Sequence, residues 1–118
     1  MAGSQVVAVI DDDAAVLDSL KFMLETAGYT VSAYSSATAY LDDRSPPPAC
    51  LIVDHHMPVM TGLDLIARLK QEAAAVPALL ITGAPSPAII ARAAQLGVKL
   101  LEKPPGENDI LSFIDRHL

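Results

Sequence analysis

Residues 51–58 read Leu51-Ile52-Val53-Asp54-His55-His56-Met57-Pro58, and the fold is decided there. Three apolar residues, two of them β-branched, read as a buried strand, because a parallel strand covered on both faces need not alternate apolar with polar. Asp54 follows the last of them, and Pro58 and Gly62 stop the strand from continuing. The acid is thereby presented at a strand's carboxyl end, where open α/β sheets bind ligands. A lone Asp in a loop would be better read as a turn cap. Three other segments that end in the same way favour a site.

Upstream, Val6-Val7-Ala8-Val9-Ile10 is a continuous apolar run that stops at Asp11-Asp12-Asp13. Val16, Leu17, Leu20, Leu24 and Ala27 then recur at helical spacing, with an Asp cap before them and Gly28 as the stop. The mixed residues 30–34 suit an edge strand. Ser36 caps a short helix to about residue 43, and Pro46-Pro47-Pro48 makes a stiff connector into the third strand.

Downstream of Gly62, Leu65, Ile66 and Leu69 mark a third helix. Residues 76–82 contain a fourth buried strand, Ala78-Leu79-Leu80-Ile81, that tolerates Pro77 at its start. Pro87 suits a helix's first turn, and Ile89, Ile90, Ala93 and Leu96 are the residues expected to face the core before Gly97 ends that helix. A fifth strand over 98–102 ends at Lys103-Pro104-Pro105-Gly106. A last helix from about residue 107 is expected to bury Ile110, Leu111, Ile114 and Leu118. Five strands alternating with five helices predict an α/β sandwich with a parallel sheet and right-handed crossovers.

A length of 118 residues allows one domain with one core, expected over about residues 6–118, and no output domain. The chain is 52% hydrophobic and 19% charged, which excludes disorder. No apolar run approaches the roughly 20 residues of a membrane span. Residues 1–5 lack the basic and long apolar regions of a signal peptide, so a cytoplasmic location is expected. With a net charge of −6 and no Lys/Arg run, phosphate backbones and anionic membranes should repel the chain. Neither nucleic acid nor membrane is therefore an expected partner. Cys50 is the sole cysteine, which rules out an intrachain disulfide or a Cys-cluster metal site and suits a small core thiol.

Four strand ends carry polar groups: Asp11 and Asp12 on the first, Asp54 on the third, Thr82 on the fourth and Lys103 on the fifth. In an all-parallel sheet these converge on one edge. Singly each has a plain structural explanation, as a cap, a loop hydroxyl or a solvated lysine; together they form a chemical set. Three close carboxylates repel one another, so they hold protons or bind a cation. An all-oxygen set without clustered Cys or His favours a hard ion such as Mg²⁺. A carboxylate can attack phosphorus to give an aspartyl phosphate, and Mg²⁺ with the Lys103 ammonium would neutralise the anionic group in transfer. His55 and His56 are adjacent in an extended loop and should point apart, which favours solvent-facing or phosphate-neighbouring roles over a transition-metal site. His117 at a helix end suits the helix dipole.

Asp11-Asp12, Asp54 with Met57-Pro58 and Gly62, Thr82-Gly83 and Lys103-Pro104 together resemble the receiver domain of bacterial two-component response regulators, of the FixJ-like type. The resemblance runs from about residue 6 to 118. It implies a flavodoxin-like (CheY-like) sheet of order 2-1-3-4-5 flanked by five helices. It implies Asp54 as phosphoacceptor, and Mg²⁺ held by Asp12, Asp54 and the backbone carbonyl of His56 directly and by Asp11 through water. It further implies Thr82 as switch hydroxyl, Lys103 as phosphate-binding lysine and a cis Lys103–Pro104 peptide. The implied partner is a sensor histidine kinase or phosphotransfer protein, with a homodimer through the fourth helix, fifth strand and last helix as a further expectation. Such a domain is no enzyme beyond its own Mg²⁺-dependent phosphorylation and dephosphorylation.

The chain departs from that pattern at Leu100, where an aromatic residue is usual in the switch, and at Pro105, where Phe is common. Leu100 has no ring to swing, so coupling is expected to run through the backbone of 82–87, which Pro85 and Pro87 stiffen. A phosphorylation-independent pseudo-receiver is the alternative reading; the altered switch speaks for it and the intact acids against it. An aspartyl-nucleophile phosphatase would show a second acid at position 56, which is His. A flavin carrier would not place three acids after its first strand.

Overall fold

In the computed structural model, which describes residues 6–43 and 46–118, strands and helices alternate without exception. The elements are β1 (Val6–Ile10), α1 (Ala14–Thr26), β2 (Thr30–Tyr34), α2 (Ala37–Asp42), β3 (Cys50–Asp54), α3 (Gly62–Gln71), β4 (Ala78–Thr82), α4 (Pro87–Gln95), β5 (Lys99–Glu102) and α5 (Glu107–Arg116). The expectation about residues 1–5 lies outside the described residues. All strand pairs are parallel, in the order β2-β1-β3-β4-β5. No helix among the described residues is long and apolar enough to cross a membrane.

Local chemistry sets the helix starts. The Asp13 carboxylate accepts from the amides of Ala15 and Val16, Ser36 from Ala39, and Ser86 from Ile89. Thr61 and Asp64 form a reciprocal capping box at α3. Gly28, at φ 100°, takes the left-handed turn after α1 that a side chain would resist.

Strand alternation divides the core in two. Ala8, Ile10, Leu51, Val53 and Leu80 pack under α2, α3 and α4 with Leu63, Leu65, Ile66 and Leu69. Val7, Val9, Cys50, Ile52, Leu79 and Ile81 pack on the other face with Leu24, Ile110, Phe113 and Ile114. β3 and β4 are buried at every position, whereas the edges β2 and β5 are not.

Three expected core residues lie outside it. Ala27 is the exposed C-cap of α1, Ile90 is 51% exposed on α4, and Leu118 is 41% exposed beyond α5. Ile90 lies about 100° round the helix from Ile89, past the edge of the face that α4 presents to the sheet. The last helix buries Phe113 beside Ile114 and ends at Arg116, before Leu118. Asp54 does not follow the buried strand but is its last residue and is itself buried.

Candidate functional site

Register brings the polar strand ends together. Ile10 pairs with Val53, Asp54 with Ile81, and Thr82 with Glu102. Asp11 thus lies level with Asp54, while Thr82 stands one step and Lys103 two steps further along. The backbone continues the ladder there: the His55 amide donates to the Ile81 carbonyl at 2.9 Å, and the Lys103 amide to that of Thr82 at 2.8 Å.

Alternation then sorts the side chains. Asp11 shares its parity with Val7 and Val9, Asp54 with Ile52, and Lys103 with Leu101, all on the α1/α5 face. Carboxylate oxygens of Asp11, Asp12 and Asp54 lie within 4.8 Å of one another. Lys103 Nζ is 2.8 Å from Asp54 Oδ1 and 4.0 Å from Asp11 Oδ2. Asp54 Oδ1 is buried and, beyond that ion pair, no hydrogen-bond donor among the described residues is aligned on it. Asp11 and Asp54 are buried, Lys103 is half-buried and Asp12 is exposed.

The charges perturb one another. Burial is the main cause that raises the Asp11 carboxyl above its usual range; Asp54 and Asp12 add repulsion, against the Asp13 amide and Lys103, which lower it. Burial alone would lower the Lys103 ammonium, but the Asp54 hydrogen bond and the charges of Asp54, Asp11 and Asp12 outweigh it and raise its pKa. Lys103 is therefore a fixed cation at neutral pH. Its peptide bond to Pro104 is cis.

Thr82 and Leu100 belong to the opposite parity. Thr82, fully buried, shares the face of Leu80, and Leu100 pairs with Leu80 in register and packs into that core. Leu100 is therefore not part of the acidic pocket. His55 is buried rather than solvent-facing, because it follows Val53 in the alternation and lies under the start of α3; its Nδ1 accepts from the Leu63 amide at 3.5 Å. Burial, then the neighbouring His56, lowers its pKa against the pull of Asp64 and Asp54. The exposed His56 lies against Thr82, with Nε2 2.7 Å from Oγ1. That contact was not legible from spacing, although the two-residue step from Asp54 in the loop at the site's edge was its one signal. His117 caps the end of α5 and packs on Phe113, with centroids 4.7 Å apart.

Gly62 has a steric role. A Cβ there would lie 2.6 Å from Leu80 Cδ1 and 2.8 Å from the Asp54 carbonyl oxygen. The first turn of α3 thus presses directly on the backbone that presents Asp54.

Comparison with known proteins gives one consistent result. The family model described as "Response regulator receiver domain" matches residues 7–115. The transcriptional regulatory protein FixJ of Bradyrhizobium diazoefficiens is 37% identical over 109 residues, 91% of this chain and 53% of that protein. The response regulator protein TodT of Pseudomonas putida strain F1 is 34% identical over 113 residues, 94% of this chain and 50% of that protein. The chain spans about half the length of these curated relatives. The crystal structure of FixJ-N superposes with a TM-score of 0.86 at 31% identity, covering 99% of this chain and 94% of that one.

Proposed function

This chain belongs to the response regulator receiver domain family, and we propose that it accepts a phosphoryl group on Asp54 from a sensor histidine kinase or phosphotransfer protein and relays the event by conformational change. The observation that carries the reading is the buried Asp54 carboxylate, ion-paired to Lys103 and faced by two further acids. An Asp54 oxygen attacks phosphorus, a new P–O bond forms, and the donor's bond to phosphorus breaks as the donor leaves with its electron pair.

The donor set fits Mg²⁺, being all oxygen, with carboxylates close enough to share one ion. Asp12, Asp54 and the His56 backbone carbonyl would hold it directly and Asp11 through water; when bound it neutralises charge on the acids and the phosphoryl oxygens. Lys103 supplies a standing positive charge to the incoming group. The Thr82 hydroxyl is the donor expected to turn towards a phosphoryl oxygen.

The domain is read as a single receiver with no catalysis beyond turnover of its own phosphoryl group, acting in the cytoplasm. Its relay goes to a partner or an attached output domain, the role that the relatives' description as transcriptional regulators suggests. Exposed Ile90 on α4 supports a homodimer through the α4–β5–α5 face, and the net charge of −6 speaks against nucleic-acid binding by these residues.

Incubation with acetyl phosphate and Mg²⁺ tests the reading by intact mass. One added phosphoryl group is expected on the wild-type chain and none on Asp54→Asn. Undiminished labelling of the variant overturns the assignment.

A further inference from the structure

Thr82 Oγ1 is buried and already has two partners. It accepts from the Ala84 amide at 3.2 Å and shares a 2.7 Å contact with His56 Nε2. A hydroxyl offers one proton and two lone pairs. If the imidazole accepts, the hydroxyl proton is committed to it. If the imidazole donates, both lone pairs are filled and the rotor is set. In either tautomer Thr82 is held by two groups that lie on its own side of the sheet.

The imidazole, though exposed, has a second contact. Its ring stands edge-on to that of His55, with centroids 5.0 Å apart and planes at 78°, and His55 is buried beneath the start of α3. The Asp54 side chain has the opposite parity and lies on the α1/α5 face. A Thr82 hydroxyl that turns to the Asp54 face to meet a phosphoryl oxygen leaves the arrangement in which His56 and the Ala84 amide hold it. The Leu100 side chain, beside Leu80 in register, has no polar atom with which to hold that hydroxyl.

We propose that the His56 side chain is a positioning residue that latches the Thr82 hydroxyl in the unphosphorylated protein and releases it when a phosphoryl group arrives on Asp54. The proposal rests on the phosphoacceptor reading for its release step only; the hold is a property of the unmodified chain. A hydrogen bond that must be given up opposes the activated arrangement by about fivefold in population.

Two measurements test it. Without any phosphate analogue, the His56 Nε2 nitrogen-15 shift is expected to move in Thr82→Val, which is nearly isosteric but has no hydroxyl. An unmoved shift overturns the hold. Titration with beryllofluoride and Mg²⁺, read by amide shifts, is expected to show about fivefold tighter binding in His56→Leu. His56→Gln, whose amide reaches a similar position, should return to wild-type affinity. In a Thr82→Val background, His56→Leu should change nothing, since no hydroxyl remains to be released. Equal or weaker binding in His56→Leu, or the same gain in both backgrounds, overturns the latch as a release device. Beryllofluoride that fails to bind the wild-type protein overturns the phosphoacceptor reading and the release step together, while the nitrogen shift still decides the hold.

Discussion

α3 and α4 lie on the same face of the sheet and are held there very differently. α3 buries Gly62, Leu63, Leu65, Ile66 and Leu69, and its first turn touches the backbone of Asp54. α4 buries Ala93 alone and covers β5, a strand with no fully buried residue. Beyond the half-buried Ile89 and Leu96, its tie to α3 is the exposed Arg92–Asp64 ion pair at 3.0 Å. Such a pair contributes at most about 1 kcal/mol. At one sheet edge, the backbone of Asp54 is clamped by α3, while α4, the helix that follows Thr82, is lightly fastened. A perturbation at the sheet edge is thus absorbed most cheaply at α4.

The contrast has measurable consequences. The largest concerns the two helices themselves. Leu65 is fully buried on α3, so Leu65→Ala should cost about 2–5 kcal/mol in urea unfolding. Ile90→Ala on α4 should stay within about 0.5 kcal/mol, because Ile90 is 51% exposed. Comparable losses for the two would erase the distinction between a clamped and a loose helix.

The clamped centre can also be probed by alkali. Cys50 in β3 is fully buried, and burial pushes its thiol up from 9.0 to about 11. A raised thiol is neutral in both states below pH 9, where its share of stability is fully present. Above that the unfolded chain ionises first, so the share is lost as pH climbs towards 11. The loss is bounded at about 3 kcal/mol. Cys50→Ala lowers overall stability by leaving a cavity, but its stability should fall less steeply between pH 9 and 11. An identical alkaline slope in both proteins would mean that the centre is less closed than the fold implies.

The smallest effect tests an exception on the clamped side. Val59, between Asp54 and α3, has φ 70° and is 97% exposed. A β-branched residue in the left-handed region costs about 1–2 kcal/mol, and this side chain has almost no packing to lose. Glycine relieves the strain but gives back some unfolded-state entropy. Val59→Gly should therefore stabilise the protein by up to about 1 kcal/mol, seen as a small rise in melting temperature. A fall would show that the loop needs the valine side chain.

Much of this protein is written in its sequence. Apolar runs ending in Asp11, Asp54, Thr82 and Lys103 specify buried parallel strands and place their ends on one edge, since chain order and right-handed crossovers leave few other arrangements. Caps at Asp13, Ser36 and Ser86 are equally local, because each bond spans only two or three residues. The misplaced core positions, Ala27, Ile90 and Leu118, lie at helix ends or at the margin of the apolar stripe, where periodicity does not say how far the covering layer reaches.

Only the tertiary structure decided which polar ends face each other. Register and alternation set Asp11, Asp54 and Lys103 on one face and Thr82 with Leu100 on the other, and a loop then carries His56 across to the Thr82 hydroxyl. Helical and strand patterns are encoded by neighbours a few residues apart. A 2.7 Å contact between residues on different strand ends depends on how strands slide and twist against each other, which is fixed by the packing of the whole sheet between its helices.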